Sequence, residues 1–357
     1  MRIILVGLGA RGRYWRRVIE DEPRTTSVAF VDPLEAQRVA FQQLEPNVPA
    51  YSELAAAVEA EDADAIVFAT PPGTRAQHLA LAFERRLPVL VEKPLSLDLQ
   101  EAYAFVRDAE ASRTPLVIGL NFRYLDVTKK TRDLLASGAV GNAEFGRFTY
   151  ERWRDGERPG INRYPMTMEH PMLWEQSIHH VDLMRYVYDD EPTMVYAHTS
   201  NPSWTMYAGD TNVSAIFHFA SGRVVTYQGT WQANHATPHF EWRTECSNGV
   251  IYQRDQFGDL EYANRHDAQA QPIELEPHET WVTDTAGVLS AFVAHVLDGA
   301  PIECSGEDHL RSLAMIEACV RSSATGKPVS VPAILDELAE DSARKQADTL
   351  QQVGRSP

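Results

Sequence analysis

A glycine-rich loop directly after the first apolar run constrains the fold of this chain more than any other feature. Residues 3–6 are all aliphatic, and Gly7-Leu8-Gly9-Ala10-Arg11-Gly12 follows them at once. In a strand–turn–helix unit, such glycines allow a tight turn, a close approach of the backbone to a pyrophosphate and close packing of helix on strand. The sequence therefore predicts a dinucleotide-binding βαβ unit.

An acidic residue stands where the ribose of such a cofactor is expected. Asp32 follows the apolar run 27–31, 20 residues after Gly12 (32 − 12 = 20). A carboxylate here accepts a hydrogen bond from a ribose 2′-hydroxyl and repels a 2′-phosphate, so NAD is favoured over NADP. The alternative is a glycine turn without a ligand and a surface aspartate. Arg11 either contacts the pyrophosphate or does not, and the sequence leaves this open.

The order of apolar runs predicts two domains, which agrees with a length of 357 residues. Up to residue 120, short apolar runs alternate with helix-periodic segments, as in a doubly wound parallel sheet covered on both faces. Four alternating runs between residues 211 and 254 predict antiparallel hairpins. We therefore predict an α/β Rossmann domain over 1–120, an α+β domain with a largely antiparallel open sheet over 121–331, and a polar tail over 332–357.

Composition excludes several classes of protein. The chain has 50 acidic and 33 basic side chains, and its net charge of −17 repels nucleic acid and anionic lipid. Three widely spaced cysteines argue against a disulfide framework, and the first apolar run is too short for a signal peptide or membrane span. We predict a cytoplasmic protein that forms a homodimer or homotetramer through the open sheet.

Three further motifs complete an ordered set. The first motif is Ala69-Thr70-Pro71-Pro72, which ends one apolar run and is followed by His78. The second is Glu92-Lys93-Pro94, which ends the next apolar run. The third lies in the second half of the chain and reads Glu175-Gln176-Ser177-Ile178-His179-His180-Val181-Asp182. Together with the glycine loop, this set resembles the glucose-fructose oxidoreductase, inositol dehydrogenase and MocA (Gfo/Idh/MocA) family from residue 2 to about residue 331.

The resemblance implies roles for individual residues. In that family the lysine of Glu-Lys-Pro reaches the reacting sugar hydroxyl near the nicotinamide and the later histidine acts as general base, which are Lys93 and His179 here. Glu175 stands where the family usually has aspartate, so it orients His179, holds a substrate hydroxyl or does both. The predicted cofactor-binding residues are Gly7, Gly9, Ala10, Arg11, Gly12, Asp32, Thr70, Pro71, His78, Glu92, Lys93 and Asn121.

Residue chemistry agrees with these roles. Glu175 and His179 are four apart and share one face of an α-helix, whereas His180 points about 100° away. A histidine near its ordinary pKa accepts the proton of an alcohol, and a lysine stabilises the developing alkoxide. His179 as a structural core histidine and His180 as a structural or substrate-contacting residue are the alternatives. Adjacent histidines point apart, so no metal site is predicted.

We define the arginine-rich segment as residues 147–164, which stand out in an acidic chain. It is either a solvated loop or salt-bridge surface, or it binds an anionic sugar such as a uronate or sulfonate. Its arginines are Arg147, Arg152, Arg154, Arg158 and Arg163. The predicted substrate-binding residues are Lys93, Arg123, Tyr150, Arg152, Trp153, Tyr164, Glu175, His179 and His180.

The predicted function is NAD-dependent oxidation of a ring hydroxyl of a sugar, polyol or sugar derivative, or reduction of the matching ketone. Two alternatives stay open. One is an NAD-dependent glycosidase that oxidises a carbon transiently and eliminates the aglycone, as some relatives of the family do. The other is a non-catalytic sensor of NAD or sugar, although binding alone needs neither Lys93 nor His179.

Overall fold

The computed structural model describes residues 1–159, 161 and 163–353, with side chains in the last helix described as far as Arg344. Residues 354–357 of the predicted tail lie outside the described residues. The α-helices are α1 (Ala10–Asp21), α2 (Glu35–Leu44), α3 (Leu54–Ala60), α4 (Ala76–Glu84), α5 (Leu99–Ser112), α6 (Asp126–Ala136), α7 (Ile178–Tyr188), α8 (Thr283–Asp298), α9 (Gly306–Thr325) and α10 (Val331–Val353).

Two sheets contain the strands. The first sheet holds β1 (Arg2–Val6), β2 (Thr26–Val31), β3 (Ala50–Tyr51), β4 (Ala65–Phe68), β5 (Val89–Glu92) and β6 (Leu116–Gly119). The second holds β7 (Ala143–Glu151), β8 (Pro192–Ser200), β9 (Asn212–Phe219), β10 (Val224–Thr230), β11 (His239–Cys246), β12 (Gly249–Asp255), β13 (Gly258–Asn264), β14 (Gln271–Pro272) and β15 (Val329–Ser330).

The first sheet is parallel and confirms the doubly wound prediction. Its strand order is β3-β2-β1-β4-β5-β6, and every residue of β4, β5 and β6 is buried, as expected for strands covered on both faces. The order reverses between β1 and β4, where Val6 pairs with Phe68. In such sheets a ligand binds outside the carboxyl ends of the strands at this reversal point. The glycine loop follows β1 there.

The first compact unit comprises Met1–Leu125 together with Pro277–Leu310. Helix α8 therefore belongs with the Rossmann sheet, and Ser290 on it donates a hydrogen bond to Glu22 Oε2 at 2.8 Å. Asp98 begins α5 as an N-cap, accepting a hydrogen bond from Glu101 N at 2.8 Å. The domain bounds at 120 and 331 stay predictions.

The second compact unit comprises Asp126–Glu276 and the chain from Arg311 on. Its nine-stranded sheet has the order β14-β13-β12-β11-β7-β10-β9-β8-β15 and is antiparallel at every described pairing except β7 with β10. The predicted hairpins β9–β10 and β11–β12 are confirmed. One face packs on α7, where Trp242 Nε1 donates to Tyr188 Oη at 2.9 Å. The other face exposes Phe145, Tyr196 and Ile216.

Two further features concern the length of the helices and the arrangement of histidine, cysteine and acidic side chains. Among the residues described, no helix is long and apolar enough to cross a membrane. The same residues contain no group of three or more histidine, cysteine, aspartate or glutamate side chains arranged to hold a metal ion.

Candidate active site

The glycine loop has the close backbone contacts that its sequence predicts. Gly7 has a φ of +91° and donates its N–H to Val31 O at 2.8 Å, so the loop is tied to the end of β2. A Cβ at Gly12 would lie 2.1 Å from Gly7 O, whereas one at Gly9 would meet no atom within 4 Å. Gly12 is therefore required for packing inside the unit. Gly9 instead leaves one side of the loop open for a ligand to approach.

Asp32 holds this loop in place. Its carboxylate accepts hydrogen bonds from Leu8 N at 2.8 Å and from Leu34 N at 2.9 Å, and the residue is 8% exposed. Each carboxylate oxygen has a second acceptor site, so a ribose hydroxyl has a partner left. Asp32 is thus a buried support of the loop, and the alternative of a surface aspartate is wrong.

The residues around the loop fit NAD. Helix α1 begins at Ala10, its N-cap Gly9 makes no side-chain cap, and its first turn has no acidic residue. The first backbone N–H groups and the helix dipole are therefore directed at an anion such as a pyrophosphate. Thr70 Oγ1, in the loop after β4, is a buried hydroxyl without a hydrogen-bond partner among the described residues. Both features offer polar atoms to a dinucleotide.

Arg11 has a protein partner in the Glu-Lys-Pro motif. Its Nε donates to Glu92 Oε1 at 2.8 Å, and Trp15 Nε1 donates to the same oxygen at 2.8 Å. Burial raises the pKa of Glu92, but the charges of Arg11 and Lys93 and these hydrogen bonds outweigh it, so the pKa lies below its ordinary value. Glu92 is a buried anion that joins the glycine loop to β5. The contact of Arg11 with pyrophosphate stays a prediction.

A buried arginine that the sequence analysis missed supports the loop carrying Lys93. Arg75 is 1% exposed and donates from NH2 to Thr70 O at 2.5 Å and from NH1 to Leu95 O at 3.2 Å. Its NH1 also donates to Pro94 O. These carbonyls belong to the loops after β4 and β5. Arg75 therefore fixes the backbone on the C-terminal side of the half-buried Lys93.

The other predicted residues of the first unit have partners within it. His78 stacks on Phe68 with ring centroids 6.0 Å apart, and burial lowers its pKa. Asn121 Nδ2 donates to Asp284 Oδ2, and Arg123 NH2 donates to Asp308 Oδ2 at 2.5 Å. The ion pair with Asp308 is a structural contact for Arg123. Cofactor binding by His78 and Asn121 and substrate binding by Arg123 stay predictions.

In the second unit, Glu175 and His179 lie at the junction of two kinds of helix. Residues Met172–Ser177 form a π-helix, where Ile178 N donates to Leu173 O five residues back, and α7 begins at Ile178. A continuous α-helix, as the spacing predicts, is therefore wrong for this stretch. Tyr164 Oη donates to Glu175 Oε1, and His179 is 4% exposed. Single π turns are frequent at functional sites, because they displace side chains from the α-helical spacing.

His180 lies in the core, beside the inner face of the sheet. Its Nδ1 is 2.9 Å from Tyr227 Oη and its Nε2 is 3.1 Å from Gln176 Nε2. The ring also packs against Phe148, with centroids 4.7 Å apart. Burial lowers its pKa to about 3, so His180 stays neutral at physiological pH. These contacts favour the structural alternative for His180.

Strand register separates the arginines of the arginine-rich segment. Arg147 lies on the exposed face of β7, where its NH2 pairs with Glu241 Oε1. Tyr150 is 4% exposed on the opposite, inner face. The regular pairing ends with β7, because Arg152 N donates to Thr230 O at 3.0 Å and Arg154 N donates to Trp231 O at 2.8 Å, so that two residues are matched by one. Arg152 and Trp153 are both exposed there, whereas Arg154 is half-buried.

Comparison with known proteins agrees with this architecture. Residues 1–120 match the family model described as an oxidoreductase family with an NAD-binding Rossmann fold, and residues 128–252 match the model of the GFO/IDH/MocA C-terminal domain. The chain belongs to the Gfo/Idh/MocA family. It is an oxidoreductase with an NAD-binding domain.

Individual relatives have low sequence identity to this chain, but their alignments cover nearly all of it. Inositol 2-dehydrogenase from Rhizobium meliloti is 25% identical over 344 residues, which is 93% of this chain and 99% of the relative. An oxidoreductase from Agrobacterium radiobacter in complex with NAD⁺, L-tartaric acid and magnesium has a TM-score of 0.85 at 20% identity, covering 94% and 99%. Levoglucosan dehydrogenase with NADH and levoglucosan has a TM-score of 0.82 at 17% identity, covering 93% and 99%. These two likenesses show the fold.

Two polar residues of this Gfo/Idh/MocA protein have no sequence signal. Arg75 and Asp284 belong to no motif discussed above, and their roles depend on partners farther along the chain, Leu95 for Arg75 and Asn121 for Asp284. Tyr227 is an exception, because it occupies an inward position of an alternating run and donates or accepts at Ser177 Oγ, 2.8 Å away. Strand alternation predicts its burial, although not its partner.

The role of Asp32 leads to a prediction about cofactor choice. We expect Asp32→Ala to weaken NAD binding about 10- to 100-fold, because a charge-assisted hydrogen bond and the support of Leu8 N are lost together. We expect NADP to lose less affinity, since the repulsion of its 2′-phosphate is removed as well. Titration of each cofactor by calorimetry measures both. Asp62→Asn, at a carboxylate that is 91% exposed, is the control. Equal losses for NAD and NADP would contradict the ribose assignment.

The role of Arg75 leads to a prediction about turnover. We expect Arg75→Met to lower kcat at least about tenfold with a smaller change in NAD affinity, because the loops of Thr70 and Lys93 lose their shared donor. Arg75→Lys is expected to recover part of kcat, since an ammonium still donates to carbonyls. Steady-state kinetics on protein of verified folding measures this. Unchanged kcat in folded Arg75→Met would show that Arg75 only stabilises the unit.

Proposed function

We propose that this protein oxidises a CH–OH group of a polyol, sugar or sugar derivative with NAD, or reduces the corresponding ketone. The observation that carries the proposal is the bond between Arg11 of the glycine loop and Glu92, which makes Lys93 the neighbour of a carboxylate fixed to the cofactor loop. A protein that only bound NAD would need no lysine there. The sensor alternative is therefore the weaker one.

In this proposal each protein group has one task at the reacting hydroxyl. NAD, when bound, supplies the hydride acceptor. Lys93 donates a hydrogen bond to the reacting oxygen and stabilises its developing negative charge. His179 accepts the hydroxyl proton, and Glu175, held by Tyr164, orients His179 or a second substrate hydroxyl. His180 is not assigned the proton transfer, because both of its ring nitrogens lie within hydrogen-bond distance of protein groups, Tyr227 Oη and Gln176 Nε2, and its low pKa makes it a weak base.

The substrate class is proposed from the relatives. One relative is named for inositol, a cyclic polyol, and two similar structures hold levoglucosan, an anhydrosugar, and L-tartaric acid, a hydroxy acid. These molecules share secondary hydroxyl groups on a small carbon frame. We propose a polyhydroxy substrate of this size. A glycosidase that uses NAD transiently is the second candidate. It is distinguished by incubating the protein with NAD and glycosides, because it releases free sugar without accumulating NADH.

The catalytic roles predict a specific pattern of losses. We expect Lys93→Met and His179→Ala each to lower kcat about 100-fold or more while NAD affinity changes little, since both groups act on the substrate oxygen. NADH absorbance with a panel of polyols and sugars measures turnover, and calorimetry measures NAD binding. Lys327→Met and His266→Ala, both at exposed positions, are matched controls. Loss of NAD binding in both site variants would contradict the assigned roles.

We also propose that the exposed face of the second sheet pairs with another copy of the chain. Phe145, Tyr196 and Ile216 on this face are 58%, 44% and 38% exposed, which is an apolar surface that association would cover. We expect Ile216→Glu to lower the molar mass in analytical ultracentrifugation, because a charge would be buried in the contact. Leu297→Glu, at a 49% exposed leucine of α8, is the control. An unchanged mass for Ile216→Glu would place any interface elsewhere.

A further inference from the structure

The chain just after β7 carries two arginines, Arg152 and Arg154, two and four residues after Tyr150. Their backbone N–H groups donate to Thr230 O and Trp231 O, which ties this segment to the end of β10, and Arg152 is exposed whereas Arg154 is half-buried. The Arg154 guanidinium lies 4.1 Å from the centroid of the Trp231 ring. Trp231 is 1% exposed and thus a rigid platform for the guanidinium. Such stacking restricts the side chain without consuming its hydrogen-bond donors.

Among the described residues, Arg152 and Arg154 lack the carboxylate partner that several other arginines of the same unit have. Arg223 pairs with Asp190 at 2.9 Å and Arg254 with Glu261 at 2.6 Å, and Arg147 on the outer face pairs with Glu241. Within the described part of the chain, no carboxylate lies within 4.0 Å of the guanidinium of Arg152 or Arg154. In a chain with a net charge of −17, two neighbouring cations without a carboxylate partner among the described residues are a local exception.

The pair is linked to the helix that bears His179. Tyr150 Oη donates to Gln176 Oε1 at 3.3 Å, and Gln176 neighbours Glu175 in the π-helix. Burial raises the pKa of Tyr150, and the charges of Arg152 and Arg154 oppose that rise. Tyr150 is therefore bonded to the π-helix that carries Glu175, in the same unit as the proposed base His179.

We propose that Arg152 and Arg154 bind an anionic group of the substrate, so that the protein acts on an acidic polyhydroxy compound, a sugar acid carrying a carboxylate or a sulfonate. Guanidinium groups recognise both anions through paired N–H donors. The arrangement would also select against neutral sugars, because they leave these donors without an ionised partner. This inference rests on the proposed oxidation of a CH–OH group and specifies its substrate.

The test compares acids with their neutral counterparts. NADH formation is followed with gluconate against glucitol, galacturonate against galactose, and a sugar sulfonate against the same neutral sugar. We expect kcat/KM for an acid to exceed that of its neutral partner at least about tenfold. We expect Arg152→Gln and Arg154→Gln each to lower kcat/KM for the acid about 10- to 100-fold and for the neutral partner less than about threefold. The two acid types show which anion the site prefers.

Controls separate this inference from folding effects and from the proposed function. Arg158→Gln, at an exposed arginine of the same segment, should leave the acid preference unchanged, and Arg154→Lys should retain part of it. Melting temperature and NAD affinity check that the variants fold. Turnover of neutral sugars at the rate of acids, unaffected by Arg152→Gln and Arg154→Gln, overturns this inference and leaves the proposed oxidation intact. If calorimetry shows that an acid binds in a way that depends on both arginines, but no compound is turned over, this inference is retained and the proposed oxidation is contradicted.

Discussion

The buried bond between Arg11 and Glu92 is the interaction on which the organisation of the first unit depends. An unpaired carboxylate in the interior would cost several kcal/mol. Glu92 is 6% exposed, and Arg11 and Trp15 both donate to it, so it stays charged there. Because Arg11 belongs to the glycine loop and Glu92 precedes Lys93, the same bond that neutralises a charge also fixes two functional loops relative to each other.

Arg75 solves a related problem with different partners. Its guanidinium is directed at backbone carbonyls of Thr70, Pro94 and Leu95, which are acceptors that a loop without regular structure would otherwise leave unsatisfied. A lysine or histidine offers fewer donors in a less rigid geometry. The first unit thus uses one arginine to hold a carboxylate and another to hold backbone. Both arrangements immobilise the segment that carries Lys93.

Much of this organisation follows from sequence because it depends on local pattern. The glycine loop and Asp32 are each defined by neighbours within a few residues or by one strand length, and the doubly wound parallel sheet follows from apolar runs separated by helices. The π-helix before α7 was not predictable, since one extra residue in a turn leaves no periodic mark over so short a stretch. Buried polar partners such as Asp284 were also missed, because their contacts join distant parts of the chain.

The arginine-rich segment shows most clearly what the sequence alone does not predict. The composition indicates a cluster of basic residues in an acidic chain, but it does not distinguish the arginines of that cluster from one another. The structure then divides the cluster, since Arg147 lies on the exposed face of β7 and pairs with Glu241, whereas Arg152 and Arg154 follow the end of that strand. A surface ion pair contributes little and binds nothing further. Arg154, which stacks on the buried Trp231, and Arg152 have no carboxylate partner among the described residues, so their donors are available to the anionic group that we propose.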